Sequence, residues 1–108
     1  MASSKLNTFS VGGYVADELL LHPKDENEGS VMKVTFHLRN PKVVGGKQFY
    51  NEFYVVVYGK NARECIEHLT VGSECIVVGS ANTWAKTDPE TGVKNTGIAI
   101  DAKEVYFL

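Results

Sequence analysis

The sequence predicts an all-β fold with five strands and one short helix. Several segments alternate apolar and polar residues with a period of two, which is typical of half-buried strands. One segment, between the third and fourth predicted strands, instead spaces its apolar residues at i, i+3, i+4 and i+7, as a helix does. The 108 residues suffice for one hydrophobic core, so we expect a single domain over residues 1–108.

The composition is that of an ordinary soluble protein, with 44% hydrophobic and 22% charged residues. No apolar run approaches the ~20 residues that span a membrane, and the N-terminus lacks the apolar centre of a signal peptide. We therefore expect a cytoplasmic protein with no membrane partner. Cys65 and Cys75 lack metal-site spacing and the three histidines are scattered. We expect no metal site, and free thiols rather than a disulfide.

The first strand is predicted over residues 6–16, where Gly12-Gly13 interrupts the alternation. A glycine pair inside a strand indicates a bulge or a sharp bend where a small barrel turns a corner. A simple loop between two short strands is the alternative. Residues 17–21 are ambiguous, and residues 22–30 are predicted to form an acidic, solvated loop.

The second strand is predicted over residues 31–38. One face carries Met32, Val34, Phe36 and Leu38, as a core requires. The other face is basic, with Lys33 and, just beyond the strand, Arg39; His37 on this face is given no role. Residues 40–48 contain Pro41, two glycines and two lysines, and are predicted to form a flexible basic hairpin loop.

The third strand is predicted over residues 49–58, which are aromatic and β-branched and end at Gly59. The core face carries Phe49, Asn51, Phe53, Val55 and Val57. The other face carries Tyr50, Glu52, Tyr54, Val56 and Tyr58, and a half-exposed row of tyrosines suits flat ligands such as bases. It suits a barrel surface or an oligomer interface equally well. Residues 31–60 hold five Lys or Arg and one acid, although the chain has a net charge of -2, so cations and rings share one segment.

A helix is predicted between Gly59 and Gly72, where Asn61 can cap the start and Glu64 follows three residues later. Its single apolar stripe consists of Ala62, Cys65, Ile66 and Leu69. Gly72 follows the last residue of the stripe, which is typical of a helix C-terminus.

The fourth strand is predicted over residues 74–86, and its small residues from Gly79 to Ala81 permit another strand to approach closely. Trp84 comes late in this strand, beside Lys86 and before a turn-rich loop at residues 87–95. We interpret it as a base-stacking ring rather than a core residue, because its neighbours are polar or small. The fifth strand, residues 96–102, points Ile98, Ile100 and Ala102 inward, and the apolar chain end at residues 105–108 is expected to be docked.

Five strands with a helix between the third and fourth is the order of the OB-fold, a Greek-key barrel that binds oligonucleotides. The sequence also resembles the bacterial and phage single-stranded DNA-binding proteins (SSB) over residues 6–108. The matching stretches are residues 11–17 (VGGYVAD), 29–36 (GSVMKVTF), 51–60 (NEFYVVVYGK) and 69–79 (LTVGSECIVVG). The most specific parts are the glycine-lysine after the third strand and the glycine-serine before the fourth.

The resemblance implies that bases stack on strand aromatics. Tyr58 falls on the aromatic that ends the third strand in the family, and Tyr54 lies on the same face. The family's earlier tryptophan in this strand aligns with Glu52, next to Phe53.

In the fourth strand, the family's tryptophan aligns with Lys86, and Trp84 lies two residues earlier on the same face. The aromatic of the family's 2–3 hairpin has no counterpart, since the loop here offers Pro41, Lys42 and Val43. The family's acidic tail, which recruits replication and repair proteins, is not found before Leu108, so partner recruitment is not carried over.

The sequence therefore predicts a non-enzymatic, sequence-independent binder of single-stranded DNA, acting without a cofactor in replication, recombination or repair. No catalytic constellation of residues is present. The resemblance implies a homo-oligomer, either a dimer or a tetramer. The alternative function is a homodimeric OB-fold scaffold of primosomal type that acts through protein–protein contacts. The predicted DNA-binding residues are Lys33, Arg39, Lys42, Lys47, Tyr50, Phe53, Tyr54, Tyr58, Trp84 and Lys86.

Overall fold

Six strands and one helix make up the structure, a computed structural model that describes residues 8–22 and 32–108. In chain order the elements are β1 (Phe9–Val15), β2 (Leu20–His22), β3 (Lys33–Val44), β4 (Lys47–Tyr58), α1 (Gly59–His68), β5 (Glu74–Thr87) and β6 (Lys94–Phe107). The five predicted strands correspond to β1, β3, β4, β5 and β6. The ambiguous segment contributes β2, and the predicted acidic loop lies outside the described residues from position 23 onwards, as do Leu6 and Asn7.

The strands close into a barrel. Neighbours follow the order β1-β5-β6-β4-β3-β2, and β1 also pairs with β3, where Val15 lies opposite Leu38. Five strands therefore form a closed ring, and β2 pairs with the start of β3 on the same edge as β1. Strands β4 and β6 run parallel, and the other paired strands run antiparallel. This topology confirms the predicted OB-fold.

The core lies inside the barrel and follows the predicted alternation. Its largest fully buried side chains include Phe36, Leu38, Ile100, Val55 and Val77. Burying each of them contributes roughly 1.5–3 kcal/mol relative to exposure. Since these residues come from β3, β4, β5 and β6, the core holds together the strands that carry the candidate site.

Two glycines let strands of the barrel approach each other closely. A Cβ at Gly13 would lie 2.9 Å from the carbonyl carbon of Arg39, and a Cβ at Gly79 would lie 2.8 Å from that of Asp101. Both distances are shorter than real Cβ contacts. The predicted bend at Gly12-Gly13 is therefore a close approach of β1 to β3, and the predicted close approach at Gly79 is confirmed.

The helix is shorter than predicted, because α1 ends at His68 and Gly72 belongs to the turn before β5. Ala62, Cys65 and Leu69 are buried, but Ile66 is 43% exposed, so the apolar stripe is narrower than predicted. The predicted cap is wrong: Tyr58 occupies the N-cap position without a side-chain hydrogen bond.

The amide of Asn61 instead donates to the carbonyl oxygen of Lys103 at 2.9 Å, which ties α1 to β6. This carbonyl lies where the β5–β6 register shifts: Val78 pairs with Glu104, but Gly79 pairs with Ala102. The side chain of Asn61, which the local sequence predicts to be a helix cap, is therefore used in a tertiary contact instead.

Two hairpins extend beyond the barrel. The predicted loop over residues 40–48 is wrong, because β3 and β4 remain paired up to Val44 and Lys47. Only Gly45 and Gly46 form the turn, both with positive φ, as a tight two-residue hairpin requires. The β5–β6 hairpin remains paired up to Thr87 and Lys94, on either side of the predicted turn.

The extension of the two hairpins beyond the barrel explains why two residues that the sequence predicts to be buried are exposed. Phe49 and Ile98, expected to point inward, are 45% and 39% exposed. Their strands have left the barrel at these positions, so the face that is inward elsewhere has no core beneath it. The apolar chain end continues β6 to Phe107, but Leu108 is 72% exposed.

Both cysteines are free and buried in the structure, as predicted. Burial raises the pKa of the Cys65 thiol to about 12 and that of the Cys75 thiol to about 11. Neither forms an appreciable amount of the reactive thiolate at neutral pH. Among the described residues, no helix is long and apolar enough to cross a membrane.

Candidate nucleic-acid interface

The outward sides of β3, β4, β6 and β5 form one continuous surface, which we call the groove face. Backbone pairing sets one row across it: His37 lies opposite Tyr54, Tyr54 opposite Ala99, and Ala99 opposite Asn82. Two residues further along β5, Trp84 lies opposite Gly97. The surface therefore combines side chains from β3 and β4 with side chains from β5 and β6, which come later in the sequence.

A groove of about 520 Å³ runs across this face. It is lined by His37, Tyr54, Trp84, Lys86 and Ala99. Neighbouring strands lie about 4.8 Å apart, so β4 and β5, on either side of β6, are separated by roughly 10 Å. Ala99 contributes only a methyl group between them, and we call the part of the groove lined by Tyr54, Ala99 and Trp84 the slot.

Trp84 is held against its hairpin rather than free. A Cβ at Gly97 would lie 2.6 Å from Cε2 and 2.8 Å from Nε1 of the indole, so the ring lies over the glycine. The side chain is still 42% exposed. The structure thus places Trp84 outside the core, and its ring also borders a second cavity of about 480 Å³ on the β5–β6 hairpin.

Arg39 is engaged by neighbours on the groove face. Its Nε lies 3.3 Å from Oε2 of Glu52, which is the residue opposite it on β4. Its guanidinium carbon lies 5.9 Å from the ring centroid of Tyr50. Both members of the ion pair are half exposed, so the pair is weak and Arg39 remains accessible to a competing phosphate.

Asp17 fixes the orientation of His37. The backbone N–H of His37 donates to Oδ1 of Asp17 at 2.8 Å, and the imidazole Nδ1 lies 2.6 Å from Oδ2. Burial alone raises the pKa of the Asp17 carboxyl. The hydrogen bonds from the backbone and ring of His37, and the charge of that ring, outweigh this effect, so the pKa is lowered from 3.8. Asp17 is therefore ionised and accepts both bonds at neutral pH.

Lys33 and Tyr58 form a separate position at one end of the groove face. They lie opposite each other on β3 and β4, and Tyr58 is 47% exposed. Thr35 and Val56, the pair that separates them from His37 and Tyr54, are buried although they point outward. Tyr58 and Tyr54 are therefore not one continuous platform, contrary to the predicted row of rings.

The structure buries Phe53, which the sequence predicts to bind DNA, so it gives this prediction no support. Phe53 is 8% exposed and belongs to the core, where its ring lies 5.5 Å from that of Phe9. The alternation of β4 assigns Phe53 to the core face, in agreement with the structure. Its prediction as a DNA-binding residue rests only on its position next to Glu52, which aligns with the family's tryptophan.

The hairpin lysines are separated from the groove face. Lys42 lies opposite Phe49 and Lys47 opposite Val44, on the side of the β3–β4 ribbon that continues the core face. Arg39 and Tyr50 lie on the other side. Both lysines are exposed, so they can reach a bound strand only where it wraps around the hairpin.

Sequence reasoning missed His37, Asp17 and Ala99. The period-two pattern had already placed His37 on the same face as Lys33 and Arg39, and that signal could have identified it. The positions of Asp17 and Ala99 depend on contacts between distant segments. Within the described residues, no group of three or more His, Cys, Asp or Glu side chains could hold a metal ion.

The groove face carries charges of both signs. Its cations include Lys33, Arg39 and Lys86. Its acids include Asp17, Glu52 and Asp101, and the last accepts a 3.0 Å hydrogen bond from the amide of Asn82. Cations and acids are nearly balanced here, so the exposed rings distinguish this surface more than its charge does.

A family model describing the single-strand binding protein family matches residues 6–108. Among solved structures, the chain is similar to a small single-stranded DNA-binding protein from Streptomyces coelicolor, with a TM-score of 0.74 and 20% identity, covering 94% of this chain and 93% of that one. It is also similar to a Plasmodium falciparum SSB in complex with ssDNA, with a TM-score of 0.72, 24% identity and 95% of each chain covered. Among curated protein sequences, no significant match was found.

Proposed function

The chain belongs to the single-strand binding protein family, and from this premise we propose that it binds single-stranded DNA through the groove face without sequence preference. One observation supports the location above all: the half-buried ring of Tyr54 and the exposed ring of Trp84 line the same slot, with Ala99 between them. Aromatic rings stack on any base, because every base has a π-face. Binding at such a slot is therefore tolerant of sequence.

Stacking supplies most of the binding energy in this proposal. Each base stacked on a ring contributes on the order of 1–3 kcal/mol. Lys33, Arg39 and Lys86 neutralise phosphates, and each such contact makes log K fall with log salt by roughly 0.7 for a single strand. With three contacts we expect a slope of about -2, which is shallow for a nucleic-acid binder.

The wider role follows from the family. We propose a non-catalytic protein that protects single strands in replication, recombination or repair, acts as a homo-oligomer (dimer or tetramer) and resides in the cytoplasm. The scaffold of primosomal type is not favoured, because the family match accounts for nearly the whole chain.

A fluorescence titration tests this proposal, since Trp84 is the single tryptophan. We expect oligo(dT) to quench its emission and to bind far more tightly than matched duplex DNA. Titrations at two salt concentrations give the slope of log K against log salt. Absence of oligo(dT) binding at low salt would contradict single-strand binding. Binding without quenching of the emission would mean that the site does not include Trp84.

The Arg39–Glu52 pair leads to a prediction of tighter binding. Replacing Glu52→Gln removes the carboxylate that competes with phosphate for Arg39. We expect the affinity for oligo(dT) to rise about 1.4- to fivefold, which matches the ~0.2–1 kcal/mol of an exposed ion pair. The salt slope should stay close to that of the wild type, because Arg39 contacts a phosphate in both proteins.

The control is Glu67→Gln, an equal change of charge on the exposed surface of α1. Fluorescence anisotropy of a labelled oligonucleotide measures both variants. If both raise the affinity equally, net charge is responsible and the pair has no specific role.

A further inference from the structure

His37 is the one histidine that lines the groove among the described residues, and Asp17 holds its ring in a defined orientation. Since the ionised carboxylate of Asp17 accepts at Nδ1, that nitrogen carries the proton and Nε2 is the nitrogen that Asp17 leaves unengaged. The ring centroid lies 5.4 Å from that of Tyr54, and the side chain is 41% exposed. A polar atom of fixed direction therefore lies beside the proposed stacking position.

Lys86 lines the same groove from β5, across from His37 on β3. A nucleotide whose base enters the slot between Tyr54 and Trp84 places its flanking phosphates near the edges of the slot. We propose that His37, positioned by Asp17, contacts a backbone phosphate of the bound strand through Nε2, with Lys86 serving a neighbouring phosphate. This inference rests on the proposed function and adds a phosphate position to it.

The chemistry makes the contact dependent on pH. Histidine changes charge between pH 5 and 8, and only the imidazolium can donate from Nε2 while Nδ1 donates to Asp17. A charge-assisted hydrogen bond to phosphate is about twice as strong as a neutral one. We therefore expect affinity for single strands to rise as the pH falls.

Several other charged or titratable groups surround His37. Asp17 and Tyr54 contact it directly, and Lys86 lines the same groove. The remaining groups nearby on the groove face are Arg39, Glu52 and Asp101, and His22 of β2 lies 3.3 Å from Oγ1 of Thr35, the next outward residue of β3. Carboxylates titrate well below pH 6, and lysine, tyrosine and arginine well above pH 8. Histidine is the residue type whose ordinary pKa lies inside that window.

A purely architectural role is the competing explanation. The backbone N–H of Ala16 donates to the carbonyl oxygen of His37 at 2.8 Å, so this segment already joins the end of β1 to β3. The Asp17–His37 pair could reinforce that junction without meeting DNA. If the role is only architectural, His37→Gln should lower the stability of the protein but leave the pH dependence of DNA binding the same as in the wild type.

The experiment measures the affinity for labelled oligo(dT) by anisotropy at pH 8, 7 and 6 in the wild type, in His37→Gln and in His68→Gln. His68 is the matched control, because it lies on α1 and its ring packs against Phe107, 5.0 Å away. For the wild type and His68→Gln we expect about a fivefold rise in affinity from pH 8 to pH 6, and a salt slope steeper by roughly 0.7 at pH 6. For His37→Gln we expect neither change.

An equal rise in His37→Gln, or none in the wild type while binding persists, would overturn the inference. Loss of binding in every protein at every pH would instead reject single-strand binding itself. If His37→Gln unfolds, NMR on the wild type decides: the imidazole resonances of His37 should shift when oligo(dT) is added, and those of His68 should not. Unchanged His37 resonances in the bound protein would reject the contact.

Discussion

The double variant Tyr54→Ala, Trp84→Ala is expected to lose most of its affinity for single-stranded DNA. Each ring contributes on the order of 1–3 kcal/mol per stacked base, so losing both costs about 2–6 kcal/mol, or at least ~30-fold in affinity. The salt slope should stay nearly unchanged, because no cation is removed. Anisotropy of a labelled oligo(dT) gives both quantities without the tryptophan.

Tyr54 and Trp84 are chosen for the double variant because the structure shows that they line the same groove. Tyr58 is the ring that the family resemblance favours, but Thr35 and Val56 separate it from the slot. Since Tyr54 and Trp84 line one slot, a double-mutant cycle with the two single variants measures the coupling between the rings. The Tyr106→Ala variant is the control, because it removes a ring that is 51% exposed near the end of β6. If this control loses as much affinity as the double variant, or the double variant loses none, the slot is not the binding site.

The second large effect is expected in stability. In Gly79→Ala, the new Cβ would overlap the carbonyl oxygen of Asp101 and lie 2.9 Å from Cα of Ala102. Both are backbone atoms of β6, so β5 and β6 must move apart at the register shift. Overpacking of this kind costs about 1–3 kcal/mol or more. We expect the free energy of unfolding in urea to fall by at least this amount.

Gly12→Ala provides the matched comparison, because it is also a glycine within a barrel strand. A Cβ there would meet Cγ1 of Ile76 at 3.6 Å, an ordinary van der Waals distance, and φ is not positive. Alanine at such a site restricts the unfolded chain and stabilises by about 0.4–1 kcal/mol. Equal destabilisation of both variants would mean that glycine is required for some reason other than close strand approach.

Much of the candidate site was within reach of the sequence. Period-two alternation placed Tyr50, Tyr54 and Tyr58 on the outward side of β4, and polar neighbours of Trp84 indicated a surface ring. Alternation succeeds because each successive side chain in a strand points to the opposite face. Phe53, which the structure buries, is predicted against this pattern, because it lies next to the residue that aligns with the family's tryptophan.

Predictions over the hairpins were less accurate. Glycine and proline in residues 40–48 indicated a loop, but cross-strand pairing extends through Pro41, opposite Tyr50, to the turn at Gly45 and Gly46. How far a hairpin reaches beyond its barrel depends on pairing between strands, which local composition describes poorly. Because the β3–β4 pairing continues through Lys42 and Lys47, each of these side chains is fixed on one side of the hairpin.

Local periodicity in the sequence was enough to predict the fold class, the order of the elements and the outward direction of most of the predicted DNA-binding residues. Which residues contact each other depends on the tertiary structure. Tyr54 and Trp84 flank one slot because β6 lies between β4 and β5, and Asp17 reaches His37 because β1 closes the barrel against β3. Contacts of this kind arise from closing a sheet on itself, and a local pattern carries no information about which distant strand becomes the neighbour.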